Sequence, residues 1–238
     1  MTEEKKANTP KENLAYDLFC TGAILFGAFK LKYHETHPNA PLSPIYLNLR
    51  TSRHPKMPGL VTNDLLNDIA KQMKIILDAL QMDGLRVCGI PHAGKPFASR
   101  IANQSGYTSQ LYSNGSVQLI KSESTDGTRR IARAEPNFKK HNGGSNKIAL
   151  IDDVLSKGGS KIESVNALIS AGWQPVCSIV VVDRMEGGKE ELQKIGIPTY
   201  AIFTLKELID IIAIRGLITP IMYDRVMEYL NGNTYKWF

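Results

Sequence analysis

Apolar residues recur along this chain with two periods, and the alternation between the two predicts its architecture. Residues 14–28 carry apolar side chains at helical spacing and run to Gly27, which predicts a helix followed by a turn. Residues 29–32 open a short strand or hairpin arm. Residues 43–50, with Ile45, Leu47 and Leu49 in alternation, read as the returning strand. Across 57–82, Leu65, Leu66, Ile69, Met73, Ile76, Leu77 and Leu80 keep helical spacing, so a long core helix is expected with Thr62 or Asn63 as its cap. A buried strand over 85–90, a loop over 91–95, a helix from Phe97 to Gln104 and a short strand over 117–120 follow. Residues 121–146 carry turn chemistry in Asp126-Gly127, Pro136 and Asn142-Gly143-Gly144, and read as a long flexible loop. Strands over 148–153, 174–183 and 199–203 then alternate with helices over 162–172, 186–196 and 205–215, and an amphipathic helix over 219–231 closes the pattern. This alternation predicts an α/β fold with a mostly parallel central sheet flanked by helices. A polar, frayed tail over 1–12 would precede one domain over 13–238, with a small amino-terminal hood over about 28–50.

The chemistry concentrates where one strand ends. The run Ile148-Ala149-Leu150-Ile151 meets two adjacent carboxylates, Asp152 and Asp153, and then Val154-Leu155-Ser156-Lys157-Gly158-Gly159-Ser160 before a helix begins. In open α/β sheets, ligands bind at the carboxyl ends of strands. Backbone N–H groups of Ser156 to Ser160, with a helix N-terminus behind them, would cradle an anion. Gly158 and Gly159 allow close approach of the backbone, and the serine hydroxyls add donors. Two acids beside such a cradle suit a sugar phosphate, with the carboxylates on ribose hydroxyls. The Gly-Lys-Ser/Thr ending of a nucleoside triphosphate loop is absent. Ser and Asp also favour helix caps, but the whole strand–acid–acid–Val–x–Ser–x–Gly–x–Ser string points to a site.

Composition narrows the partners. A chain of 238 residues with 42% hydrophobic and 22% charged content matches an ordinary soluble globule. No apolar run approaches a membrane span, and MTEEKKANTPKEN is too polar for a signal peptide, so a cytoplasmic protein with no membrane partner is expected. Cys20, Cys88 and Cys177 lie among apolar residues and read as reduced core thiols without metal-ligand spacing. The net charge of +6 raises the question of nucleic acid. The basic residues are scattered, with short clusters at Lys5-Lys6, Arg129-Arg130 and Lys139-Lys140, and no nucleic-acid-binding motif appears, which favours small anions. His34, Glu35 and His37 could be grouped as metal ligands, but histidines on a polar loop tip are more simply solvated.

The acid–acid–loop string resembles the 5-phosphoribosyl-1-pyrophosphate (PRPP) motif of type I phosphoribosyltransferases. The flanking segments are similar to orotate phosphoribosyltransferase in particular. Phe26-Gly27-Ala28-Phe29-Lys30-Leu31-Lys32 and Ser43-Pro44-Ile45-Tyr46-Leu47-Asn48-Leu49-Arg50 resemble its amino-terminal signature. Gly89-Ile90-Pro91-His92-Ala93-Gly94-Lys95 resembles its second loop, and Asp183-Arg184-Met185-Glu186-Gly187-Gly188 the segment that holds the orotate carboxylate. The resemblance implies transfer of ribose 5-phosphate from PRPP to orotate, giving orotidine 5′-monophosphate and pyrophosphate in UMP biosynthesis, with Mg²⁺ on the diphosphate. It implies that Asp152 and Asp153 hold the ribose and that Val154 to Ser160 bind PRPP, with Ser156 to Ser160 as the 5′-phosphate loop. It also implies that Lys32 reaches PRPP and orotate, that Arg184 pairs the orotate carboxylate, and that Tyr46, Leu47 and Ser156 line the base.

One segment departs from that family. Its catalytic loop carries Arg-Lys, a further Lys and a His before Gly, and the resemblance implies that these cations reach pyrophosphate in the neighbouring subunit of a homodimer. Here Lys121 matches the first cation, while Ser122 and Ser124 stand where lysines are expected. Lys139, Lys140 and His141, or Lys95, are the candidate substitutes. Two other readings stay open: a non-catalytic sensor that binds PRPP or a nucleotide, and a phosphoribosyltransferase for another base.

Overall fold

The computed structural model describes residues 8–35, 37–52, 59–103, 117–123, 129–135 and 145–232. They divide into two compact units, one of residues 1–48 with 206–238 and the other of residues 49–205.

In the first unit, helix α1 (Pro10–Cys20) starts inside the stretch expected as a frayed tail. Thr9 accepts from the Glu12 N–H, and the Glu12 carboxylate accepts from the Thr9 N–H, a reciprocal cap that fixes the first turn. The helix also ends earlier than its apolar spacing suggests. Gly22, at φ 74°, takes the left-handed turn that only glycine adopts without strain, and the chain then extends as β1 (Ile24–Phe29). Strand β1 pairs antiparallel with β2 (Ser43–Leu47), and the Tyr46 ring lies 5.6 Å from that of Phe29. Lys32 begins a short 3-10 helix, Lys32–Glu35, between them. His34 in that helix is buried rather than solvated. Its Nδ1 accepts from the Leu31 N–H at 2.9 Å, and its Nε2 stands 3.2 Å from the Pro41 carbonyl, so the ring ties the two ends of the segment between β1 and β2 together. Two carboxy-terminal helices, numbered in chain order below, complete this unit.

The second unit is built on four parallel strands. Helix α2 (Asn63–Ala79) is capped by the Thr62 hydroxyl and buries Leu65, Leu66, Ile69, Ala70, Met73 and Leu77. Strand β3 (Arg86–Gly89), helix α3 (Gly94–Asn103) and strands β4 (Gln118–Glu123) and β5 (Arg129–Glu135) follow. Then come β6 (Lys147–Leu155), α4 (Gly159–Ser170), β7 (Gln174–Asp183), α5 (Gly188–Lys194) and β8 (Thr199–Thr204). In chain order α6 (Leu205–Ile214) and α7 (Pro220–Leu230) come last, tied by the Tyr223 hydroxyl donating to Asp210 at 2.9 Å. The sheet order is β3-β6-β7-β8. Strands β6 and β7 are buried on both faces, as parallel strands covered by helices must be, which is why they read as unbroken apolar runs.

The stretch expected as a long loop holds structure. Strand β4 continues past Ile120 to Glu123 and pairs antiparallel with β5, so this part of 121–146 is a two-stranded arm. Its base is anchored by Val117, Leu119, Ile131 and Ala134, which join the core around Val165 and Leu168 of α4. The Glu163 carboxylate of α4 accepts from the Ile131 N–H at 3.2 Å. Of the thiols, Cys88 and Cys177 are buried as expected and burial pushes both up to about 12, but Cys20 is exposed at the end of α1. Among the described residues no helix is long and apolar enough to cross a membrane.

Candidate active site

Strand β6 carries the acids within its length rather than just beyond it, since it ends only at Leu155. Successive side chains of a strand leave on opposite faces, so Asp152 and Asp153 diverge. Asp152 is buried and its Oδ2 takes the Lys161 ammonium of α4 at 2.5 Å. The same ammonium donates to the Val154 carbonyl oxygen. Asp153 is half-buried, and its Oδ1 accepts from the Val154 N–H at 2.7 Å. Burial and then the Asp152 carboxylate push the Asp153 carboxyl up to about 7, against Lys161, the Val154 N–H and Arg50, which pull it down.

The expected anion cradle follows directly. Gly158, at φ 82°, is the N-cap residue of α4, and its carbonyl already accepts from the N–H groups of Lys161 and Ile162. The amides of Gly159 and Ser160 fall in the first turn, where a helix offers no acceptor of its own, and so are placed for an anion. Helix α4 therefore starts three residues before the apolar pattern suggests. A second segment presses on this loop: a Cβ on Gly188 would overlap the Ser156 carbonyl oxygen and crowd the Gly158 nitrogen.

That second segment carries Arg184. Its N–H donates to the Leu155 carbonyl at 2.9 Å, which continues the β6–β7 pairing, and its guanidinium is buried with Nε 2.8 Å from Glu186 Oε1. Asp183 is buried too, which raises its carboxyl, and it accepts from the Met185 N–H at 2.9 Å. Met185 between them sits at φ 60° and is exposed.

The loop after β3 forms another wall. A Cβ on Gly94 would overlap the Ile151 carbonyl oxygen, so only glycine lets this loop lie against β6 immediately before the acids. Pro91, His92 and Lys95 on one side, and Gln118 to Lys121 with Glu123 on the other, line a cavity of about 390 Å³. Lys121 is half-buried there, and Lys95, His92 and Ser122 are exposed.

The structure thus brings Asp152, Asp153, Val154 to Ser160 and Arg184 to the carboxyl ends of two adjacent strands, and Lys121 to a cavity shared with Lys95. Lys32, Tyr46 and Leu47 are carried by the other unit. Lys139, Lys140, His141 and Ser124 lie outside the described residues. Two residues escaped the sequence reading, Lys161 and Glu186. Lys161 had a signal, because Lys161, Val165 and Leu168 share one helical face and the last two are apolar. Among the described residues no group of three or more His, Cys, Asp or Glu side chains could hold a metal ion.

No family model matches the chain. It is 29% identical over 210 residues to an orotate phosphoribosyltransferase of Sulfurisphaera tokodaii, covering 88% of this chain and 93% of that protein. It is 25% identical over 235 residues to a uridine 5′-monophosphate synthase of Caenorhabditis elegans, covering 97% of this chain and 41% of that protein. The chain therefore spans about two fifths of the length of the UMP synthases it matches. Among solved structures, UMP synthase of Leishmania donovani superposes with a TM-score of 0.70 at 24% identity, covering 93% of this chain and 42% of that one.

Proposed function

On the footing that this chain has the type I phosphoribosyltransferase fold and orotate phosphoribosyltransferases among its relatives, we propose that it transfers ribose 5-phosphate from PRPP to orotate, releasing pyrophosphate and orotidine 5′-monophosphate. The observation that carries this reading is the junction of β6 and α4, where a carboxylate near the end of the strand and an open helix N-terminus are joined by one short loop. Asp153 holds the ribose diol, and the amides of Gly159 and Ser160 take the 5′-phosphate. The diphosphate lies toward the cavity that Lys95 and Lys121 line. The buried Arg184 takes the orotate carboxylate as a planar fork alongside Glu186. Departure of pyrophosphate leaves an oxocarbenium-like ribose, so catalysis consists of holding the sugar and offsetting charge on the leaving group.

Mg²⁺ belongs to the same reading. Two lysines at the cavity, and no cluster of oxygen and nitrogen ligands among the described residues, suit an ion that arrives on the diphosphate oxygens with its own water. When bound it neutralises the leaving group. A homodimer, with the β4–β5 arm serving the neighbouring subunit, is part of the proposal.

A second reading has one observation in its favour. Strand β4 continues through Ser122 and Glu123, so an acid stands at the cavity where further cations are expected. A PRPP-binding protein without turnover would carry such a change. The test is orotate consumption with PRPP and Mg²⁺, run beside uracil and hypoxanthine. Turnover of orotate alone supports the transferase. PRPP binding with no turnover of any base moves the reading to a sensor.

A further inference from the structure

The acid pair is gripped by a lysine to which the transfer reaction assigns no task. Lys161 sits in the first turn of α4 and is 3% exposed. Taking an ammonium out of water costs several kcal/mol unless an anion and further acceptors meet it inside. Both are supplied here by one strand: the Asp152 carboxylate at 2.5 Å and the Val154 carbonyl oxygen. The ammonium therefore pins β6 on either side of Asp153 and cancels the charge of the neighbouring acid.

We propose that Lys161 is a positioning residue for the acid pair: it offsets the charge of Asp152 in place, so that Asp153 is left able to become the anion that holds a sugar diol. The last clause rests on the PRPP reading above; the hold of Lys161 over the two acids does not. Among the described residues, the groups whose charge or hydrogen bond acts on Asp153 are Asp152 on its own strand, Lys161 from α4, Arg50 from the segment before α2, and the Val154 N–H. Without the Lys161 charge, two adjacent carboxylates in a partly buried site would keep Arg50 as the cation that offsets Asp153 among the described residues. Like charges that close do not both ionise in the neutral range, and the pair would retain a proton. A protonated carboxyl is a weaker acceptor for sugar hydroxyls than a carboxylate.

The test reads Asp153 directly. Aspartate carboxyl carbons would be labelled with carbon-13 and titrated by NMR without ligand in the wild type, in Lys161→Gln and in the double variant Asp152→Asn/Lys161→Met, with Asp153→Asn to assign the signal. Lys161→Gln keeps a donor for Asp152 and Val154 while removing the charge. The expected result is an Asp153 titration at least one pH unit higher in Lys161→Gln. In the double variant, where both partners of the buried pair are gone and no charge is stranded, it should return close to the wild type. The double variant also meets the case in which Lys161→Gln fails to fold, because a double variant titrating a full unit above the wild type contradicts the proposal. An unmoved titration in folded Lys161→Gln overturns it.

PRPP affinity measured calorimetrically over the same range gives the second readout. At pH 7 the Lys161→Gln protein should bind about tenfold more weakly than the wild type and recover by pH 9. A loss of equal size at every pH marks a merely structural role and also overturns the proposal. If Asp153 moves as expected but the wild type binds no PRPP, the PRPP reading fails and the control of Asp153 by Lys161 stands.

Discussion

Gly188 lies so close to Ser156 that a single added carbon would overlap the Ser156 carbonyl oxygen. This contact presses the segment of Arg184 onto the anion loop, which makes it a handle on the site. Gly188→Ala should force the two backbones apart and lower PRPP affinity by about tenfold, at a stability cost of ~1–3 kcal/mol. Isothermal calorimetry and thermal unfolding separate the two effects, and unchanged affinity would show that the contact does not shape the loop.

Arg184 should decide the base. Truncating one partner of a buried, hydrogen-bonded charge pair costs roughly 2–5 kcal/mol, so Arg184→Ala should raise the orotate KM by about thirtyfold or more while the PRPP KM moves far less. Steady-state kinetics with each substrate varied is the check. An equal rise in both constants would mean damage to the β7 end instead of a lost clamp. Arg184→Lys should rescue little, because an ammonium cannot form the planar fork.

Asp153 sets stability against function, with a sign fixed by its titration. Its carboxyl is raised from the ordinary carboxylate value to about 7 in the folded protein. The proton that the folded state holds is a stabilising term fully present below about pH 4 and lost as pH climbs through 7. Asp153→Asn never bears the charge. The variant should therefore match the wild type in thermal unfolding near pH 4 and exceed it by several degrees at pH 8. PRPP turnover or affinity should fall at least tenfold, about 1.4 kcal/mol. Equal unfolding midpoints at pH 8 would contradict the raised carboxyl.

The cations at the cavity carry the remaining prediction on activity. Lys121→Ala and Lys95→Ala should each lower kcat with PRPP by about tenfold while unfolding transitions barely move, since both side chains keep contact with solvent. Mixing Lys121→Ala subunits with Asp153→Asn subunits checks the dimer. Recovered activity means that the arm of one subunit serves the site of its neighbour, and an inactive mixture means that each arm serves its own.

What was legible in the sequence followed the depth of burial. Strands β6 and β7 are covered on both faces, so their apolar runs could hardly be read otherwise, and the acids near the end of β6 came with them. Thr62 was readable as the cap of α2 because its hydroxyl does what a cap does in any protein. The arm strand β5 was not, because Arg130, Ala132, Arg133 and Glu135 face solvent and leave only Ile131 and Ala134 as apolar markers. The end of α1 was misplaced because apolar spacing continues into β1, and only the φ of Gly22 separates the two. His34 and Lys161 failed for a shared reason. Polar residues are expected at the surface, and their buried partners, Pro41 and Asp152, become visible only when the chain is folded.

The order of strands carries a consequence for how the chain acquires its site. Strands β6, β7 and β8 follow one another in sequence with only α4 and α5 between them, whereas β3 must find β6 across a helix and the whole arm. Loop closure favours the nearer contacts, so the segment from β6 to β8 should form early and β3 should dock late. The anion loop and Arg184 then assemble on the early segment, before the cavity wall of Pro91 to Lys95 arrives. Pulse-labelled amide exchange during refolding should protect Ile148 to Leu150 and Ile179 to Val182 ahead of the α3 amides. Simultaneous protection of both groups would mean a transition state that already spans the sheet.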